Sequence, residues 1–212
     1  MKRLLPLCSF LFAACSTSTP EKALPPCCQP GAAASAAASA PTDSLAHLEG
    51  AWRDHEGTDF TFEELEGAPR LVSMFFSHCT YACPRLIEDA RLAQAAILEA
   101  TGTTVPVWLF SMDDRRDTPE ALAAFGKARG LDLKTWRLLH ATAGDVAELA
   151  AALGIQYRLD PKTGDFGHTS RLVLLDRQGR PVGAVEVAGP DLKPLVDAAR
   201  RVTGTPATPS TP

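Results

Sequence analysis

The sequence predicts an α/β sandwich in which helices flank a central mixed β-sheet. Three observations carry that expectation. Apolar runs of strand length alternate with helical patterns through the middle of the chain. A hairpin signal and a closing helix come after them. Two cysteines, Cys79 and Cys83, stand where an apolar run turns into a helix.

The elements follow in order. Asp59-Phe-Thr-Phe62 reads as a short edge strand or hairpin arm. Leu71 to Phe76 is a continuous apolar run, which marks a buried central strand. Cys83 to Thr101 carries Leu86, Ile87, Ala90, Ala93, Ile97 and Leu98 at helical spacing, and Gly102 stops that helix. Pro84 fits its first turn, where a missing N–H costs nothing. Val105 to Met112 is the next strand. Thr118, Pro119 and Glu120 start a helix with a hydroxyl cap, a proline and an acid, and it ends near Arg129. Trp136 to His140 is a strand, and Asp145 to Leu153 is a helix closed by Gly154. Ile155 to Arg158 begins an extended arm, with Asp160 to Asp165 as a loop. Leu172–Asp176 and Pro181–Val187 flank the turn Arg177-Gln-Gly-Arg180. Asp191 to Val202 closes the domain as a helix.

The flanks have a different character. Lys2 and Arg3 precede a short apolar stretch, then Leu11-Phe-Ala-Ala-Cys15-Ser16. Residues 1–15 are expected to be a signal peptide with a lipobox-like site, leaving Cys15 as a lipidated N-terminus. Plain signal cleavage or an uncleaved anchor is the alternative. In each case the chain is exported, and the expected location is the bacterial periplasm, with the protein membrane-anchored as a lipoprotein. Residues 16–47 form an Ala/Pro-rich linker without apolar periodicity, and 204–212 form a similar tail; both compositions predict disorder. The folded domain is expected over 48–203, about 160 residues, long enough to bury roughly 70% of its unfolded surface. The net charge of −4 gives no basic excess for nucleic acid.

Cys79 and Cys83 lie on one helix face, with Cβ atoms roughly 5–6 Å apart. Two thiolates there can share a soft metal ion or form a redox disulfide. A merely structural bridge would gain little, because the closed loop is tiny. The helix N-terminus is expected to lower the thiol pKa. Export makes the oxidation state variable, since free thiols outside the cytosol need a reductant or a metal. His168 is expected in a loop feeding the strand at Leu172. The order of elements matches a thioredoxin-like fold, and oxidoreductases of that fold place a cis-proline in this loop. Here a histidine stands there instead. Thiolate and imidazole together suit copper or zinc. Zinc usually wants a fourth ligand, whereas three suit Cu(I).

Three stretches together resemble the Sco/SenC family of copper-binding, thioredoxin-like proteins that assist cytochrome c oxidase assembly. They are Cys79-Thr-Tyr-Ala-Cys83-Pro84, Asp113-Asp-Arg-Arg116-Asp117-Thr118-Pro119, and His168-Thr-Ser-Arg-Leu-Val-Leu-Leu-Asp176-Arg-Gln-Gly179. The resemblance implies that Cys79, Cys83 and His168 bind one copper ion per domain, as Cu(I) and/or Cu(II). It implies a copper chaperone that serves the copper-site subunit of cytochrome c oxidase or another copper protein, with a periplasmic copper donor and a thiol reductant. The alternative is a thiol–disulfide oxidoreductase that keeps a partner's copper-site cysteines reduced. Many family members read Cys-Pro-Asp-Val-Cys; here Thr80-Tyr81-Ala82 removes a negative charge beside the metal. A lipid would replace the transmembrane anchor common in the family.

Other residues rank lower. His78 is a loop residue placed to tune the Cys79 thiolate. Asp113 and Asp117 would orient the site or meet a partner, with a purely structural role as the simpler reading. Cys27 and Cys28 read as linker thiols, with copper capture or pairing between chains as the alternative. A peroxide-reducing role ranks last, because no Pro-x-x-x-Thr-x-x-Cys run exists.

Overall fold

A computed structural model describes residues 44–204, apart from 81, 188 and 190. The signal segment, Cys15, Cys27 and Cys28 lie outside the described residues. The strands are β1 (Trp52–Asp54), β2 (Asp59–Phe60), β3 (Arg70–Phe75), β4 (Val107–Ser111), β5 (Trp136–His140), β6 (Tyr157–Leu159), β7 (Phe166–His168), β8 (Arg171–Leu175) and β9 (Pro181–Glu186). The helices are α1 (Ala82–Thr101), α2 (Pro119–Ala128), α3 (Ala143–Leu153) and α4 (Lys193–Thr203).

Seven strands form one mixed sheet in the order β2-β1-β5-β4-β3-β8-β9, while β6 and β7 form a separate two-stranded ribbon. The trio β3, β4 and β5 is parallel, as strand–helix–strand crossovers require. The remaining neighbours in the sheet pair antiparallel. The apolar runs at Leu71–Phe75 and Val107–Phe110 are buried on both faces, which explains their lack of alternation. Trp52, Phe60, Phe62 and Phe110 form an aromatic cluster with ring centroids 5.0–5.9 Å apart. Helix α1 lies beside α4, and its Arg91 donates to the Arg129 and Gly130 carbonyls past the end of α2.

Several elements depart from the sequence reading. The arm at Asp59 pairs with a strand, β1, that the sequence did not announce. The extended segment at Tyr157 folds back through the Asp160–Asp165 loop onto Phe166–His168. His168 therefore ends a short strand instead of lying in an open loop. The folded body also begins before residue 48. Leu45 is 2% exposed and its N–H donates to the Gly179 carbonyl, while Ser44 caps this short 3-10 turn. β1, β7 and the turn at Leu45 escaped the sequence reading because they are short and gain their order from partners outside the segment.

Sheet topology fixes where chemistry can occur. Because β3 and β4 are parallel, the loops after Phe75 and Ser111 leave the same edge side by side. Because β8 is antiparallel to β3, the segment entering β8 arrives at that same edge, where Ser73 Oγ donates to the Arg171 carbonyl at 2.6 Å. Gly179, where the chain enters the domain, lies past the other end of β8. On the helical side, a Cβ on Gly183 of β9 would stand 2.9 Å from the Ala198 Cβ and 3.2 Å from the Pro194 carbonyl of α4. Gly183→Ala is expected to cost about 1–3 kcal/mol, read by urea unfolding, without altering the thiols at the far edge.

Candidate metal centre

The first turn of α1 presents Cys83, and the loop between β3 and α1 presents Cys79. Its turn is closed by the Cys79 N–H on the Phe76 carbonyl at 3.3 Å. Both cysteines are free and buried, Cys79 at 8% exposure and Cys83 at 1%. The Cys83 N–H, at the start of α1, donates to Cys79 Sγ at 3.2 Å. That contact is one of the orphan N–H groups of a helix start finding a sulfur acceptor.

The expectation of lowered thiol pKa values fails at Cys83. Burial pushes its thiol up, and the neighbouring Cys79 and the Asp117 charge push the same way; a backbone hydrogen bond with Phe76 opposes them without prevailing. The helix terminus is outweighed because Cys83 points into the core. Such a thiol stabilises the fold while it stays protonated. The contribution is complete below the ordinary thiol value of 9.0 and is lost as pH rises from there toward the raised value.

His168 stands beside this loop. Its ring meets Phe76 edge-on at 6.0 Å between centroids, and Phe166 packs against the Phe76 ring at 5.4 Å. Its Nδ1 lies 3.1 Å from the Thr169 carbonyl. A carbonyl can only accept, so the proton is assigned to Nδ1 and the lone pair to Nε2. Nε2 is buried and has no hydrogen-bond partner. Burial also pulls the imidazole pKa below 6.5, against the Thr169 contact, so the ring is neutral at pH 7. A buried, neutral nitrogen without a hydrogen-bond partner has the form in which an imidazole can bind a metal, and with two soft sulfurs the chemistry of these donors suits copper.

Behind the cysteines lies a polar network. Asp117 is fully buried and accepts from the Ser77 N–H at 2.9 Å, from Ser77 Oγ, and from Ser111 Oγ at 2.6 Å. His78, half-exposed, stands 3.7 Å from Asp117 and 3.0 Å from Ser77 Oγ. Asp113 accepts from the Arg116 N–H at 3.1 Å and pairs with the Arg116 guanidinium. Asp117, Asp113 and His78 are thus brought together: among the described residues they are the trio whose ligand atoms all lie within 4.8 Å of one another. Cys79, Cys83 and His168 share an edge and the Phe76 contact but do not form so tight a cluster. Thr118 Oγ1 accepts from the Ala121 N–H as the cap of α2.

The residues that sequence reasoning passed over are Ser77, Ser111, Phe76 and Arg116. Arg116 lies inside a motif already singled out, but nothing distinguishes it there from Arg115. At pH 8, iodoacetamide is expected to label Cys83 at least about tenfold more slowly in the folded protein than in the same protein under denaturant. Peptide mapping by mass spectrometry reads this, and equal rates would contradict the raised pKa and burial.

The SCO1/SenC family model matches residues 43–203. No curated relative matches the sequence. An Aquifex aeolicus protein, provisionally described as an electron transfer protein, is 26% identical with a TM-score of 0.62, covering 78% of this chain and 92% of that one. Bradyrhizobium japonicum ScoI, solved with copper bound, is 25% identical with a TM-score of 0.53, covering 72% and 94%. A SCO1/SenC family lipoprotein from Bacillus anthracis is 20% identical with a TM-score of 0.65, covering 73% and 94%. A seven-stranded mixed sheet flanked by helices, with this family's pattern across three quarters of its length, makes the chain a thioredoxin-like member of the SCO1/SenC family.

Proposed function

We propose that this protein is an exported, membrane-tethered copper chaperone. It holds one copper ion through Cys79 Sγ, Cys83 Sγ and His168 Nε2, and delivers it for assembly of the copper centre of cytochrome c oxidase. The observation that carries this reading is His168 Nε2, buried and unpartnered at the edge that presents two free thiols. Family membership supports it, as does the copper-bound ScoI at 25% identity. The tether rests on Cys15, the periplasmic location on the leader, and the recipient on the family.

The residues divide the work by protonation state. Both sulfurs must be thiolates to hold copper, and Cys83 is protonated at neutral pH, so loading releases its proton. His168 is already neutral and contributes no such proton. Affinity therefore rises with pH across the neutral range, and the thiols impose that dependence. Oxidation of Cys79 and Cys83 to a disulfide removes two thiolates at once, so a reductant must act before loading. Release to a partner proceeds by exchange of ligands, with Cys83 recovering its proton.

One observation favours the thiol-reductase alternative: the two free cysteines are neighbours, with the Cys83 N–H donating to Cys79 Sγ at 3.2 Å. In that reaction a partner's disulfide gains two electrons and two protons while Cys79 and Cys83 become a disulfide.

Anaerobic titration of the reduced protein is expected to saturate at one Cu(I), with proton release in weak buffer. His168→Ala is expected to weaken binding by about 10- to 100-fold or more. Undiminished one-to-one binding in that variant would refute the three-ligand site. Steady turnover of the metal-free protein in a disulfide-reduction assay would instead favour the reductase.

A further inference from the structure

The ribbon that carries His168 is a separate two-stranded sheet, and its turn is fastened by one side chain. The Arg116 guanidinium pairs with Asp113 on its own loop, and its Nη2 donates to the Gly164 carbonyl at 2.6 Å across the cleft. Nη1 lies 3.9 Å from Asp165. The turn is shaped to receive this contact. Gly164 has φ +74, a left-handed backbone that glycine adopts without strain. Its N–H donates to the Asp160 carbonyl at 2.8 Å, and the Asp160 N–H donates to Asp165 O at 2.8 Å. These two backbone hydrogen bonds brace the turn that carries Gly164 O. Within the ribbon Tyr157 pairs with His168 at the other end.

We propose that Arg116 is the positioning residue of the metal centre. It latches the β6–β7 ribbon to the loop after β4 and so sets where His168 stands relative to Cys79 and Cys83. The geometry matches a fork-shaped group. Asp113 takes one side of the guanidinium and Gly164 O the other, so the loop that supports the cysteines through Asp117 and the ribbon that bears the histidine become one frame. A lysine keeps the charge but cannot span both acceptors with the same planar fork. Neither sulfur nor His168 touches Arg116, so it acts only through the ribbon. This rests on His168 being a copper ligand, as proposed above.

The test compares wild type, Arg116→Ala, Arg116→Lys, His168→Ala and, as a control at an exposed neighbour, Arg115→Ala. Amide hydrogen exchange is read on the metal-free proteins, and Cu(I) affinity by competition with a chromogenic chelator. Arg116→Ala is expected to speed exchange within 157–169 only and to lower Cu(I) affinity by about 10- to 100-fold, with both cysteines still free by mass spectrometry. Arg116→Lys should show the same pattern more weakly; it carries the test if the alanine variant does not fold. Arg115→Ala should match wild type. If His168→Ala weakens binding and the Arg116 variants do not, the latch is wrong while the three-ligand site stands. Unchanged binding in His168→Ala removes the three-ligand site and this proposal with it. Faster exchange across the whole sheet would make Arg116 an ordinary structural residue and overturn the proposal.

Discussion

The buried carboxylate of Asp117 is the contact on which the functional edge depends. It joins two loops that the parallel pairing of β3 and β4 brings side by side, taking the Ser77 backbone and hydroxyl from one and the Ser111 hydroxyl from the strand end of the other. A buried charge without such partners would be expensive, and hydrogen bonds to a charged group contribute about 1.5–3 kcal/mol each. The loop holding Cys79 is therefore fixed from behind, two residues from its sulfur. The same short run then supplies Arg116 to the ribbon and Thr118 to cap α2. One stretch of seven residues thus serves three neighbours.

The thiols show a contest between two local rules. A helix start favours an anion, and the Cys83 N–H does reach the Cys79 sulfur. Cys83 itself sits one turn further into the core, where desolvation outweighs the dipole. The two sulfurs are consequently unequal. One accepts a backbone donor at the rim of the loop, and the other is held as a neutral thiol until something removes its proton. Either a metal or a disulfide meets that requirement.

Much of this was legible in the sequence, and the rest was not for definite reasons. The strands at Leu71 and Trp136 and the helix after Cys83 announce themselves through long apolar runs or helical spacing. Cys79, Cys83 and His168 stand out as residue types at meaningful positions. β1 and β7 have three residues each, too few for a period. Their order comes from pairing across turns, Trp52 with Phe60 and Tyr157 with His168, and for β1 also from Arg53 opposite His140 of β5. The pKa of Cys83 depends on burial that only tertiary packing creates. Arg116 is indistinguishable from Arg115 until the ribbon folds over it.

The start of the folded body carries a consequence for approach. Leu45 is fastened to Gly179, past the end of β8 that pairs with the beginning of β3, whereas the sulfurs lie beyond the opposite end of β3. The first described residues therefore stand at the pole remote from the thiols. A partner that meets Cys79 and Cys83 meets the body at the end of the sheet opposite to Leu45.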